Sequence, residues 1–194
     1  MTPLLNLALL TLRSPAKAAE IVLAQQWRGE AVWTGLLLVA VLNALTHALM
    51  LWLFPVAQEL AFLNMSPTAL VGLSAGLLVV FSVAVTFCGR LIGGQGGFAQ
   101  VLPVMVWLQL VRVGIQAVVI VVTLLSAGIG ALLSLLVNVF LIYVLLHFVN
   151  EAHRFNSMWR AFGVLVMASL LALFTLTFVL GLLGPAKLGL PAYV

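Results

Sequence analysis

Apolar residues run almost unbroken through five blocks of the chain, and polar residues gather in the gaps between them. A helix of about 20 residues rising 1.5 Å each crosses a hydrocarbon core of about 30 Å. By that rule the blocks predict transmembrane helices at Ala31–Phe54, Pro67–Cys88, Trp107–Ser126, Gly128–Val149 and Ala161–Leu183. The first is framed by Trp33 and Trp52, which stand about 28 Å apart along a helix axis, the separation of the two headgroup levels where indoles settle. The fold class predicted is an all-α membrane protein, a single domain over residues 1–194 with five transmembrane helices and no separate soluble unit.

Composition agrees with a lipid solvent, since 65% of the 194 residues are hydrophobic and only 6% charged. A soluble surface needs about a quarter. The formal charge of +4 therefore reports orientation in the membrane, not nucleic-acid binding. Arg13, Lys17, Arg28, Arg90, Arg154 and Arg160 fall in gaps on one side, and Lys187 alone falls on the other. Under the positive-inside rule the N-terminus is cytoplasmic and, after five crossings, the C-terminus is outside. The first thirty residues do not read as a signal peptide, because Arg13 and Lys17 follow the apolar run Leu4–Leu12 instead of preceding it. Ser14 and Pro15 read as the cap and first residue of a helix reaching about Arg28, with Ala16, Ala19, Leu23 and Trp27 on one face. We read residues 1–30 as an amphipathic helical segment lying at the cytoplasmic interface.

The third block is too long for one upright span and contains Pro103, which lacks a backbone donor. The reading preferred is an interfacial elbow over residues 98–106, with the span starting at Trp107; the alternative is one long tilted helix with Arg112 near mid-membrane. In either case Gln109, Arg112, Gln116 and Thr123 recur at helical spacing and share a stripe that must face protein or water. Gln109, Arg112 and Gln116 are the candidates for a lipid or partner contact or a buried polar network, with Asn43 and Asn138 as possible partners. Gly72 and Gly76 form a small-xxx-small pair read as a packing face within the bundle.

Candidates for catalysis are few. The chain has no Asp, and Glu20, Glu30, Glu59 and Glu151 all lie at span edges or in gaps, so no carboxylate pair forms inside the membrane. His47 and His147 fall at opposite depths, about 20 Å apart, which excludes a shared haem. Cys88 is alone and reads as a small apolar residue. His147, Glu151 and Arg154 form a candidate cytoplasmic polar cluster at helical spacing. No cofactor or metal is expected.

The remaining gap is glycine-rich, with Gly93, Gly94, Gly96 and Gly97 the candidate hinge between the second span and the elbow. It lacks the Lys-Ser/Thr of a phosphate loop. Taken in order, Arg13-Ser14-Pro15, GGQGGFAQVLPVMVWLQ at Gly93–Gln109 and FVNEAHRFNSMWRAFG at Phe148–Gly163 resemble bacterial membrane proteins with a Yip1 domain, over nearly the whole chain. The resemblance implies a five-span, non-enzymatic protein of a bacterial inner membrane. It would organise the membrane or bind partners, with lipids, other membrane proteins or its own copies as contacts. Eukaryotic Yip1-like proteins associate with Rab GTPases and carry a long cytoplasmic N-terminal region, which this chain is expected to lack. The second function considered is a small transporter or lipid-handling protein using the polar stripe.

Overall fold

The computed structural model describes residues 3–25, 27–54 and 66–183. Lys187 and Glu59 lie outside the described residues. The chain there forms seven helices: α1 (Pro3–Arg13), α2 (Pro15–Ala24), α3 (Gly29–Leu53), α4 (Pro67–Leu91), α5 (Phe98–Leu125), α6 (Ala127–His153) and α7 (Met158–Leu183). The five from α3 onward are long and apolar enough to cross a membrane. Their starts follow local chemistry. Ser66 accepts a hydrogen bond from the Ala69 N–H and is followed by Pro67 at the first helical position. Ser126 likewise accepts from the Ile129 N–H, so a single residue ends α5 and caps α6.

Phe98–Leu125 is one helix with Pro103 inside it, in place of the expected elbow at 98–106 followed by a span. Proline removes one helical hydrogen bond near the start, which packing can offset. Val101, Leu102, Val104 and Met105, all buried around Pro103, supply that packing.

The N-terminal segment also differs from a helix resting only on the interface. Ala18, Ala19 and Val22 are fully buried beneath α2, which packs on α6 and α5, while Leu4, Leu5 and Ile21 stay exposed. α1 and α2 thus form a hairpin clamped to the bundle on one face, and the small Ala18 and Ala19 allow the close approach. The clamp has a polar pin. The Trp107 indole donates to the Thr11 hydroxyl at 3.1 Å, and that hydroxyl donates to the Leu7 carbonyl at 2.8 Å. Thr11→Val leaves the indole N–H unpaired in a buried site and is expected to cost about 1–3 kcal/mol, whereas Thr11→Ser keeps the bond and is expected to cost under about 1 kcal/mol. Melting in detergent together with tryptic cutting at Arg13 and Lys17 distinguishes them; equal behaviour of the two variants would show that the pin contributes nothing.

Two apolar cores result. One joins Leu36, Val85, Val101, Val149 and Val164 from α3 to α7, and the other lies under the N-terminal hairpin around Val22, Trp107, Val144 and Phe148. Away from them, Leu132, Leu136, Val139 and Ile142 along α6 are exposed, as expected of a helix whose solvent is lipid. Gly72 and Gly76 are exposed too, and a side chain added at either would touch nothing within 4 Å. They do not form the internal packing face the spacing suggested.

Candidate functional site

The polar residues of the central stripe line three adjoining cavities. One of about 480 Å³ lies between α3, α4 and α5 and is bordered by Asn43, His47, Ser74, Gln109 and Arg112. A second, about 330 Å³, is bordered by Asn43, Thr46, His47, Arg112 and Gln116. The third, about 210 Å³, is bordered by Gln109, Arg112 and Asn138 on the α6 side. Arg112 borders all three. The tertiary structure therefore gathers Gln109, Arg112 and Gln116 with Asn43 and His47, which the sequence placed on a separate helix. Thr123 stands apart: its hydroxyl bonds the Val119 carbonyl, and its side chain packs where a Gly130 side chain would be.

Hydrogen bonding inside the chamber is incomplete. Asn43 donates to Ser74 at 3.1 Å, tying α3 to α4, while Asn138 donates to Ser134 of its own helix, so neither asparagine bonds the stripe as anticipated. His47 Nε2 and Gln109 Oε1 are buried without partners. The described acidic residues, Glu20, Glu30 and Glu151, all lie outside the lining, so no described carboxylate borders the cavities alongside Arg112. A guanidinium with five fixed donors suits an anionic group, while the unpaired Gln109 Oε1, which can only accept, would face a donor.

At the opposite end of the bundle the structure assembles something the sequence did not reveal. The chain turns between α4 and α5 through Gly93, the one described glycine with a left-handed φ, +88°. Gly94 and Gly96, with Gly89 of α4, close around the His153 ring. A methyl group added at Gly94 would lie 2.8 Å from His153 Nδ1 and from the Gly89 carbonyl oxygen; one added at Gly96 would lie 2.6 Å from Nδ1 and 2.8 Å from the Ala152 carbonyl oxygen. At Gly89 it would overlap the imidazole outright. The ring is 1% exposed, stacks on Phe155 with centroids 5.2 Å apart, and has no hydrogen-bond partner at either nitrogen. Gln95 N–H donates to the His153 carbonyl at 3.1 Å, and Arg90 reaches the Gly96 carbonyl at 3.4 Å. The glycines expected to act as a hinge are thus a cup fixed around a side chain, with Gly97 at the rim starting α5. The signal available in the sequence was the pairing of this loop with the only histidine ending a helix, and the two segments lie too far apart for spacing to link them.

His147, Glu151 and Arg154 are not brought together as one cluster. His147 meets the edge of Tyr143 at 4.7 Å. The helix ends at His153, and Arg154 turns out of it in a left-handed conformation (φ 54°), so the Glu151–Arg154 spacing no longer runs along one helix. Arg154 instead borders a cavity of about 410 Å³ with Val22, Trp27, Ala99, Gln100 and Pro103. Cys88 is buried and free. Among the described residues no three His, Cys, Asp or Glu come close enough to hold a metal ion.

No curated protein and no solved structure matches the chain. The family model of the Yip1 domain matches residues 9–179, which take in the end of α1, all of α2, the glycine cup and nearly all of the five long helices. The protein is an integral membrane protein belonging to the Yip1 domain family.

Proposed function

We propose that this protein is a non-enzymatic, membrane-organising module of the Yip1 type that works by holding the anionic group of a lipid in the Arg112 chamber. The observation supporting this most is a guanidinium bordering three adjoining cavities with no described carboxylate beside it. A cation among membrane spans costs about 2.5–3.5 kcal/mol on insertion scales, so its place there calls for a compensating anion. Arg112 lies 14 residues from the start of α5, about 21 Å along a helix of about 42 Å, so an anionic group that pairs with it would have to enter between the helices. Among the described residues, the lining brings no carboxylate to His47, so it offers no carboxylate–imidazole pair for acid–base work. Retention of anionic lipid by the wild-type and Arg112 variants tests the reading. The second reading, movement of a solute along the polar lining, draws on the polar residues contributed by α3, α4, α5 and α6; flux in liposomes that tracks Arg112 without any lipid retention would favour it. Protein partners or self-association would show as copurifying chains from native membranes.

The proposed setting is a bacterial inner membrane with the N-terminus cytoplasmic, supported by the six-to-one distribution of Lys and Arg. A reporter active only in the cytoplasm is expected to work when fused after Gly97 or Asn156 and to fail after Val194. Activity at Val194 would overturn the orientation.

A further inference from the structure

We propose a second lipid site, separate from the Arg112 chamber, in which the N-terminal hairpin and the start of α5 hold one glycerophospholipid whose headgroup carries a hydrogen-bond donor in addition to its phosphate. Two cavities meet here, one with two polar side chains among apolar ones and the other almost wholly apolar. The polar one is that of Arg154, Gln100 and Ala99. The other, about 190 Å³, is apolar and runs along α3 and α5 past Gly35, Leu38, Val106 and Leu110 to Leu4 of α1. Trp27 and Pro103 border both, so a polar end continues into an apolar groove, the division of a lipid into headgroup and chain.

Each end has its own chemistry. Arg154 is swung off the end of α6 by its left-handed backbone, held by its N–H bonding the Asn150 and Glu151 carbonyls, which brings a guanidinium to the polar cavity. Gln100 uses its carbonyl oxygen on the Gly97 N–H at 3.1 Å, leaving its amide N–H groups as donors. Together these two residues suit a phosphate. Pro103 has no N–H to give the carbonyl four residues earlier, and that residue is Ala99, which borders the same cavity. Without its usual helical donor that carbonyl can accept from a headgroup, so the headgroup proposed has an ammonium or hydroxyl beyond the phosphate. Phosphatidylethanolamine and phosphatidylglycerol meet the requirement; phosphatidylcholine, with no N–H or O–H, does not. At the apolar end the Trp27 indole N–H is already taken by the Val22 carbonyl at 2.9 Å, so the ring offers the groove an apolar wall. The lipid would bridge α1 and α2 to the spans, and it rests on no step of the Arg112 reading.

The test is lipid retention in native mass spectrometry after reconstitution in equal parts of phosphatidylethanolamine, phosphatidylglycerol and phosphatidylcholine with matched acyl chains. The wild-type protein is expected to keep one ethanolamine or glycerol lipid at this site and to prefer it over the choline lipid by about tenfold, the worth of one well-made hydrogen bond. Arg154→Asn, whose new residue tolerates the left-handed backbone, is expected to lower that retention about tenfold with an unchanged melting point, and Arg112→Leu is expected to leave it intact. Equal retention of all three lipids would overturn the site without any variant. So would Arg154→Asn keeping its lipid, or loss of the lipid in Arg112→Leu but not in Arg154→Asn, which would assign it to the chamber.

Discussion

Gly96→Ala is expected to lower the unfolding midpoint of the detergent-solubilised protein by about 5–10 °C. The added methyl would meet His153 Nδ1 at 2.6 Å and the Ala152 carbonyl oxygen at 2.8 Å, and the second of these is backbone that cannot swing away. Overpacking of that kind costs about 1–3 kcal/mol, and each kcal/mol shifts the midpoint of a chain this size by about 2–4 °C. His153→Ala empties the same cup. It loses the stacking on Phe155 and leaves a void, but it also removes two buried nitrogens without partners, so its cost is expected to be smaller than that of truncating an aromatic ring of similar size, about 3–5 kcal/mol. The double variant decides the matter. With the ring gone the methyl has room, and the combined loss is expected to fall short of the sum by about 1–3 kcal/mol. Additive losses would show that loop and ring do not touch in the working protein. Gly72→Ala serves as the control, since nothing lies within 4 Å of its added methyl, and, as Ala is the better helix former, it is expected to hold or slightly raise the midpoint.

Arg112→Leu is expected to abolish retention of an anionic lipid in the central chamber, by about ten- to a hundredfold, while leaving the protein inserted and folded. A hydrogen bond to a charged group contributes about 1.5–3 kcal/mol, and a guanidinium can make two to one phosphate. Removing the cation also removes its insertion cost, so the melting point without anionic lipid is expected to hold or rise. Arg112→Lys retains the charge without the planar fork and is expected to fall between the two. The measurement is melting with and without added phosphatidylglycerol, for each variant. An Arg112→Leu protein stabilised by the lipid as fully as wild type would end the headgroup reading, and one that keeps its lipid but loses solute flux in liposomes would replace it with transport.

The five long helices were legible because a transmembrane helix advertises itself by length and apolarity alone, with no knowledge of its neighbours. The stripe of Gln109, Arg112 and Gln116 was legible for a similar reason, helical spacing being local. What spacing could not supply was the partner across the gap. Asn43 bonds Ser74 and not the stripe, and Arg154 faces Gln100 and Trp27 instead of Glu151, because a single left-handed residue at the end of α6 redirects the chain. The elbow at 98–106 failed on the same ground. Pro103 marks a lost hydrogen bond in any sequence, and only the packing of Val101, Val104 and Met105 around it shows that the helix persists.

By itself, then, the amino-acid sequence determined that this protein lives in lipid, that five helices are long enough to cross the membrane, and that a cationic polar stripe is built into the third of them. These follow from transfer energies and helical geometry, which each segment carries alone. The tertiary structure decided which polar groups meet: the chamber around Arg112, the hairpin pinned by Thr11 to Trp107, and the glycine cup around His153. Each joins residues from helices far apart in the chain, and the absence of a glycine side chain acquires meaning only when another residue occupies the space it leaves.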